Sequence, residues 1–281
     1  MKRVLVTGAG GQLGSELRDL ARGPFEFFFF DRAALPLDEP DKLHEAFSKI
    51  RPHICINAAA YTAVDKAETE REQAFAINAT AVRDLALLCK LHNALLVHVS
   101  TDYVFNGSGV EPYKEDDPVD PLGWYGSSKL LGERVSFEAY DNVIVIRTSW
   151  VYSYYGKNFV KTMIRLLREK ESIGVVADQV GRPTYAADLA EAILRIISFD
   201  APAPGIYHYA DAGVISWYDL ASAVREEIGA ACIIRPLTTA EYPTPAKRPA
   251  YSVLDTTRIE KTFGLTPPDW RESLRRCLAR F

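Results

Sequence analysis

Short apolar segments alternate with amphipathic ones through the first half of the chain, and this alternation restricts the fold more than any other feature. The apolar runs are residues 3–7, 25–30, 54–57, 95–101 and 142–150. The segments between them carry leucines and charges at helical spacing, as in Leu13, Leu17 and Leu20. The longest, residues 65–91, is charged on one side and predicts a long helix. Strands that are apolar on both faces and separated by helices form parallel sheets covered on both sides. The sequence therefore predicts an α/β fold with a doubly wound parallel sheet and buried strands, residues 27–30 included.

A glycine-rich turn joins the first predicted strand to the first predicted helix. Gly8, Gly11 and Gly14 lie three residues apart. Gly8 can form the tight turn, Gly11 lets the backbone approach a pyrophosphate, and Gly14 lets the helix pack close to the sheet. The start of that helix also offers unpaired N–H groups to phosphates. Glycine turns without any ligand are common, so the motif alone is weak evidence.

Asp31 strengthens the prediction of a dinucleotide site of the Rossmann type. It follows the second predicted strand, about 20 residues beyond the glycines, where a carboxylate can bind ribose hydroxyls. Arg32 comes directly after it and could accept a 2′-phosphate. Both NADH and NADPH therefore stay open as cofactors, with NADH slightly favoured.

The second half of the chain is less regular and predicts a smaller C-terminal substrate lobe. Its helices are expected at residues 159–170, 186–198 and 217–228, and its strands at 173–177 and 206–210. Prolines become dense after residue 235. We expect an NAD(P)-binding Rossmann domain over residues 1–152 and a mainly substrate-binding lobe over residues 153–281. Residues 179–200 are expected to pack back on the first domain.

Tyr125 and Lys129 open a predicted helix and share one of its faces, because they lie four residues apart. The pair suits carbonyl reduction, in which a tyrosine gives a proton to the oxygen as hydride arrives. Tyrosine has an unperturbed pKa of about 10, and we expect the nearby cation to lower the pKa of Tyr125. No other of the 14 tyrosines has a lysine four residues on.

The remaining candidates collect at one edge of the predicted sheet. Thr101 ends a strand and carries a hydroxyl that could bind the same substrate oxygen, and Trp150 ends the next strand. With Gly8, Asp31 and residues 58–61, they follow the carboxyl ends of strands. Ligands of open parallel sheets bind at that edge.

Charge and composition exclude several classes of function. A formal net charge of −4 argues against a nucleic-acid partner, which requires a surplus of Lys and Arg. No apolar run approaches the roughly 20 residues of a membrane span, and the first residues are too short for a signal-peptide core. The four cysteines lie far apart, with no grouping typical of a metal site. We expect a cytoplasmic protein with no membrane partner and no metal.

These features resemble those of the extended short-chain dehydrogenase/reductases, and longer blocks are similar to the dTDP-4-dehydrorhamnose reductase family. The blocks are NAAAYTAVDKAE (57–68), VSTDYVF (99–105), RTSWVY (147–152), NFVKTM (158–163), DQVGRPT (178–184) and the proline-rich stretch 242–248. They run in order through almost the whole chain. The resemblance implies reduction of the C4 ketone of dTDP-4-dehydro-L-rhamnose to dTDP-L-rhamnose by NADH or NADPH, without a catalytic metal.

The resemblance also implies roles for individual residues. Tyr125 is the proton donor, Lys129 its helper and a ribose ligand, and Thr101 the third catalytic hydroxyl. The implied cofactor contacts are Gly8, Gly11, Gln12, Leu13, Gly14, Asp31, Leu37, Ala59, Ala60, Tyr61, Tyr125 and Lys129. The implied sugar contacts are Thr101, Asp102 and Trp150.

The chain departs from the family pattern at two positions. Pro36 stands where family members often carry an acid, which puts the adenine-side contacts there in doubt. Arg182 occupies a variable position, as either a diphosphate partner or a solvated loop arginine. Trp150 also has a second interpretation, as a core residue only.

Two other functions stay open at this point. Another nucleotide-sugar reductase or an epimerase could use the same residues, but an epimerase regenerates its bound nicotinamide. A non-catalytic regulatory subunit would tend to lose the tyrosine, the lysine or the threonine, and this chain keeps all three. The sequence leaves the oligomeric state open, with a homodimer as the candidate.

Overall fold

The computed structural model describes every residue from Met1 to Phe281. Strands β1 to β12 are Lys2–Thr7, Phe25–Phe30, Ile54–Asn57, Leu95–Thr101, Val143–Thr148, Val151–Tyr152, Ser172–Val176, Val180–Gly181, Thr184–Tyr185, Gly205–His208, Ile215–Ser216 and Ile233–Leu237. Helices α1 to α11 are Gln12–Leu20, Pro40–Ile50, Val64–Ala67, Arg71–Phe75, Ala81–Leu91, Trp124–Ala139, Phe159–Glu169, Ala186–Ile197, Trp217–Glu227, Thr257–Phe263 and Trp270–Leu278. None of these helices is long and apolar enough to cross a membrane.

The central sheet has six strands in the order β10-β5-β4-β3-β1-β2, and every neighbouring pair is parallel. The predicted α/β class with a doubly wound parallel sheet is confirmed. From β1 the chain winds outwards in both directions, first to β2 and then to β3 and beyond. That reversal opens a crevice at the carboxyl ends of the central strands, which is where ligands of such sheets bind.

Successive residues of β1 pack on opposite faces of the sheet, as the two-residue repeat of a strand requires. Val4 and Val6 share one buried cluster with helices α1 and α8, through Leu17 and Ile193. On the other face, Leu5 joins the buried side chains of α2 and α5. Helices on both faces explain why the strand sequences are apolar throughout.

A second buried cluster lies outside the sheet and is built from α7, α9 and α11. It includes Tyr152, Met163, Leu220 and Leu274. Short two-stranded pairings, β7 with β12 and β8 with β11, border it. The chain returns to the main sheet between the two parts, because α8 packs on the first cluster and β10 pairs with β5. The strand predicted at residues 206–210 therefore extends the main sheet.

Two elements differ from the sequence prediction. The long helix expected between Asp65 and Leu91 is divided into α3, α4 and α5, with a π-helical turn over Ala76–Thr80. Inside that turn, the Asn78 side chain bonds the backbone N–H and C=O of Tyr61, at 2.9 and 3.0 Å. The prediction that residues 27–30 form a buried strand is wrong, because β2 is an edge strand and its phenylalanines are only half-buried.

Candidate active site

A cleft of about 940 Å³ opens at the carboxyl ends of β1, β3 and β4. Almost all the predicted site residues line it: Gly8, Gly11, Gln12, Leu13, Asp31, Leu37, Ala59, Ala60, Tyr61, Thr101, Asp102, Tyr125, Lys129 and Trp150. Residues about a hundred positions apart in sequence thus share one site, because parallel strands end at the same edge of the sheet.

The glycine turn leaves a backbone cradle at the start of α1. Gly8 has a φ of +69°, and a Cβ there would lie 2.5 Å from the Ala59 nitrogen, so the position requires glycine. Gly11 caps α1 without any side-chain hydrogen bond, which leaves the first N–H groups of the helix available to an anion. These features fit a pyrophosphate.

Gly14 does not line the cleft. A Cβ at this position would lie 2.3 Å from the Gly8 carbonyl oxygen, so the residue lets α1 approach the turn closely. The structure therefore supports the packing role inferred from its spacing, and gives Gly14 no surface on which to touch a ligand.

Asp31 and Arg32 project from the end of β2 and are both exposed. The Oδ1 atom of Asp31 accepts a hydrogen bond from the Ala34 N–H at 2.9 Å, which orients the carboxylate. Arg32 forms no salt bridge, and both residues line the cleft. This end of the site therefore offers an acceptor suited to a ribose hydroxyl beside a free cation suited to a phosphate.

Tyr125 lies in the first turn of α6, whose cap is Gly123. Burial raises the pKa of its phenol to about 12, and a hydrogen bond with Thr101 acts in the opposite direction. The expectation that Lys129 lowers this pKa is therefore wrong for the free protein, because loss of solvent around the phenol is the dominant effect. At neutral pH Tyr125 carries its proton.

Lys129 is buried, with only 1% of its surface exposed. Its Nζ atom donates to the Val99 carbonyl oxygen at 2.6 Å and lies 3.4 Å from His98 Nε2. Burial lowers the pKa of the ammonium to about 8, and the Glu133 carboxylate opposes this shift. The amine is therefore held at β4, at the floor of the cleft.

Thr101 and Asp102 form a polar corner beside Tyr125. The Thr101 hydroxyl donates to Asp102 Oδ1 at 3.1 Å and accepts from the Tyr103 N–H at 3.2 Å. Burial raises the pKa of Asp102 to about 6, and its Oδ2 atom has no hydrogen-bond partner. A buried acceptor without a partner is costly, so this corner is suited to a ligand hydroxyl.

Trp150 lies two residues beyond the end of β5, with a φ of +49° that is unusual for a bulky side chain. Its ring stacks on Trp217 with 3.7 Å between the ring centroids. Trp217, the first residue of α9, also lines the cleft. Sequence reasoning missed Trp217, because nothing near it in the sequence indicates a pairing with a residue 67 positions earlier.

Arg182 is neither a diphosphate partner nor a solvated loop residue. Its guanidinium donates to the carbonyl oxygens of Ala210, Asp211 and Leu254 at 3.2, 2.9 and 2.9 Å. It does not line the cleft. These hydrogen bonds contradict both interpretations of Arg182. They show that it links the loops that carry these carbonyl groups.

Comparison with known proteins shows the family of this chain. The family model for the RmlD substrate binding domain matches residues 1–281. The chain belongs to the RmlD substrate-binding-domain family. The predicted resemblance to dTDP-4-dehydrorhamnose reductases is thereby confirmed, and it extends over the entire sequence.

Several relatives of this RmlD family chain match it end to end. It is 45% identical to the spore coat polysaccharide biosynthesis protein SpsK of Bacillus subtilis, over 99% of this chain and 97% of that protein. It is 43% identical to the dTDP-4-dehydrorhamnose reductase of Aggregatibacter actinomycetemcomitans, over 98% of each. The crystal structure of dTDP-4-dehydrorhamnose reductase from Bacillus anthracis in complex with NADP superposes with a TM-score of 0.96, at 40% identity and full coverage of both chains.

Proposed function

We propose that this protein reduces the C4 ketone of dTDP-4-dehydro-L-rhamnose to dTDP-L-rhamnose, with NADH or NADPH as the reductant. The observation that carries the proposal is the cleft itself, in which Tyr125 and Thr101 lie beside a glycine turn that fits a dinucleotide. The end-to-end match to reductases of this name supports the choice of substrate.

The residues around the glycine turn fit the cofactor. Gly8, Gly11, Gln12 and Leu13 would hold the pyrophosphate, and Asp31 the adenosine ribose. Leu37 and Ala59–Tyr61, which also line the cleft, would contact the remaining length of the dinucleotide. When bound, the nicotinamide supplies the hydride. Lys129 would contribute ammonium hydrogens to the ribose at the floor of the cleft.

Tyr125 would give its phenolic proton to the sugar oxygen. Its raised pKa keeps the phenol protonated at neutral pH, so the proton is present when it is needed. The alkoxide that develops at C4 is a stronger base than a phenolate, which makes the transfer favourable. Thr101, which lines the same cleft as Tyr125, would fix the position of the same oxygen.

Asp102 and Trp150 would hold the rest of the sugar. The Asp102 Oδ2 atom is buried and free to accept from a sugar hydroxyl. Trp150 presents a rigid ring, supported from behind by Trp217. Contact of that ring with the C–H face and the methyl group would orient C4.

A direct assay tests this function. Purified protein is mixed with NADH or NADPH and a panel of nucleotide 4-keto-6-deoxy sugars, and absorbance and product are followed. We expect one cofactor molecule consumed for each dTDP-4-dehydro-L-rhamnose reduced. Sugar conversion without net cofactor oxidation would indicate an epimerase instead. Cofactor binding without turnover of any sugar would favour the regulatory subunit.

Replacing Asp31 by alanine should weaken NADH binding roughly ten- to a hundredfold, the value of one hydrogen bond to a charged acceptor. NADPH binding should weaken less, because its 2′-phosphate cannot donate to the carboxylate. Asp31→Asn is the matched control, since it keeps the size and the turn but removes the charge. Fluorescence titration with both cofactors measures the effect. Equal losses for NADH and NADPH would show that Asp31 does not contact this ribose.

We further propose a homodimer, a location in the cytoplasm, and the division of the chain at residue 152. Leu87 and Leu91 of α5 and Leu131 of α6 are exposed by 48%, 66% and 38% of their surface, which supports association through these helices. All four cysteines are buried and unpaired, as in a reducing compartment. Light scattering on the purified protein measures the mass of the assembly.

A further inference from the structure

A row of buried polar side chains crosses the sheet beneath the cleft and ends at Lys129. Thr7, Asn57 and His98 occupy neighbouring register positions on β1, β3 and β4, and all are fully buried. The Thr7 hydroxyl donates to Asn57 Oδ1 at 2.6 Å, and Asn57 Nδ2 lies 3.0 Å from His98 Nδ1. His98 Nε2 then lies 3.4 Å from Lys129 Nζ. The reaction described above does not use the first three residues.

The backbone fixes the direction of these hydrogen bonds. The Ala59 N–H, which can only donate, points at Asn57 Oδ1 over 3.3 Å. The other end of the amide is therefore the NH₂ group, and it donates to His98 Nδ1. Burial and the charge of Lys129 hold the pKa of His98 well below its ordinary value, so the ring is neutral. A neutral imidazole that accepts at Nδ1 carries its single hydrogen on Nε2.

The hydrogen on Nε2 faces the Lys129 amine. An ammonium has three donors and no acceptor, so it cannot accept this N–H, whereas a neutral amine can. The Val99 carbonyl accepts from Nζ in either state. From α6, Glu133 favours the ammonium, but its carboxylate is engaged by Arg147 of β5 and by Ser100 of β4. Tyr125, the other titratable group on this side of the helix, is a neutral phenol.

We propose that His98, held in its Nε2–H form by Asn57, is a positioning residue that sets the pH at which Lys129 loses its charge. The consequence for cofactor binding rests on the proposed reductase function. An ammonium bonded to Val99 keeps two hydrogens for ribose oxygens, and a neutral amine bonded to Val99 keeps one. Cofactor affinity should therefore fall as pH rises through the pKa of Lys129, which burial lowers to about 8.

Asn57→Asp tests the proposal because it reverses the direction of the hydrogen bonds from residue 57 through His98 to Lys129. The introduced carboxylate still accepts from Thr7 and from the Ala59 N–H, but it can only accept from His98. The hydrogen of His98 then moves to Nδ1, and Nε2 accepts from the Lys129 ammonium. We expect the titration midpoint of Lys129 to rise by about one pH unit or more, the value of one hydrogen bond to a charged group. The charge of this carboxylate also raises the midpoint, so the deciding variant is His98→Gln, which adds no charge. Its amide oxygen can accept from the ammonium, and the midpoint should again rise.

The midpoint is measured by NMR on free protein with isotope-labelled lysine, and Lys129→Met assigns the signal. The matched control is Ser136→Ala, which removes a buried hydroxyl from the same helix with no hydrogen bond to Lys129. It should lower the melting temperature and leave the midpoint unchanged. NMR on histidine-labelled wild-type protein reports the tautomer without any variant.

A His98 ring with its hydrogen on Nδ1, or an unchanged midpoint in folded His98→Gln, would overturn the proposal. Because these measurements need no substrate, they test the role of His98 independently of the proposed reductase function. A shifted midpoint in a protein that reduces no sugar would support the role of His98 and contradict the reductase function alone.

Discussion

Tyr125→Phe should lower kcat by about 10²–10⁴-fold, the usual contribution of a positioned general acid. The substitution removes one oxygen and leaves the ring in place, with its edge-on contact to Tyr103 at 5.6 Å between centroids. The carbonyl oxygen must then take its proton from water, which is not positioned for the transfer as the phenol is. Stopped-flow or steady-state measurement of cofactor oxidation with the keto-sugar gives the effect.

Tyr103→Phe is the matched control for this prediction. Tyr103 lines the same cleft and packs directly on Tyr125, so its substitution removes a second phenolic oxygen a few ångströms away. We expect kcat within about threefold of the unmodified enzyme, because Tyr103 has no role in proton transfer. Cofactor affinity should stay nearly constant in both variants. If Tyr125→Phe kept turnover within threefold, Tyr125 would have no part in the mechanism.

The sequence was sufficient to predict the part of the site that depends on strand ends. The sequence alone predicts that Gly8, Asp31 and Thr101 lie together, because the carboxyl ends of parallel strands lie at the same edge of a doubly wound sheet. This placement needed only a parallel sheet, which the alternation of apolar runs and helices in the chain predicts. The structure brings these three residues to one cleft.

The features that depend on packing between distant segments were not predictable. Trp217 reaches Trp150 only because α9 of the second part of the chain approaches the end of β5, and no local pattern encodes this approach. The pKa of Tyr125 was expected to fall on account of Lys129, but its direction is decided by how much solvent the folded chain removes. The role of Arg182 likewise depends on three carbonyl groups contributed by later loops.

Asn57 and His98 show a second kind of contact that cannot be predicted from the sequence. Each lies on a predicted strand, but inward-facing polar residues on apolar strands do not reveal their partners. Their connection follows from the sheet register, in which Thr7, Asn57 and His98 stand side by side on three adjacent strands. Register between parallel strands is set by the packing of both faces and cannot be counted along the sequence.

Trp150→Ala should raise the KM for the dTDP-keto-sugar by about 10- to 100-fold, since the loss of an aromatic surface against the sugar costs roughly 1–3 kcal/mol. Stability should also fall, because the ring is half-buried and stacks on Trp217. We expect a loss of about 1–3 kcal/mol, below that of a fully buried tryptophan. Kinetics on the folded protein and thermal denaturation measure the two effects separately.

Trp217→Ala separates the sugar contact from the stacking. It removes the same ring contact from the other side, so its loss of stability should approach that of Trp150→Ala, and the double variant should lose less than the sum of the two. If Trp150 holds the sugar, Trp217→Ala should raise KM much less than Trp150→Ala, since the Trp150 ring is still present at the end of β5. Cofactor affinity should be unchanged in both variants. Equal changes in KM, or a Trp150→Ala protein that melts early with an unaltered KM, would make Trp150 a packing residue. Thr101 and Asp102 would then be the residues that position the sugar.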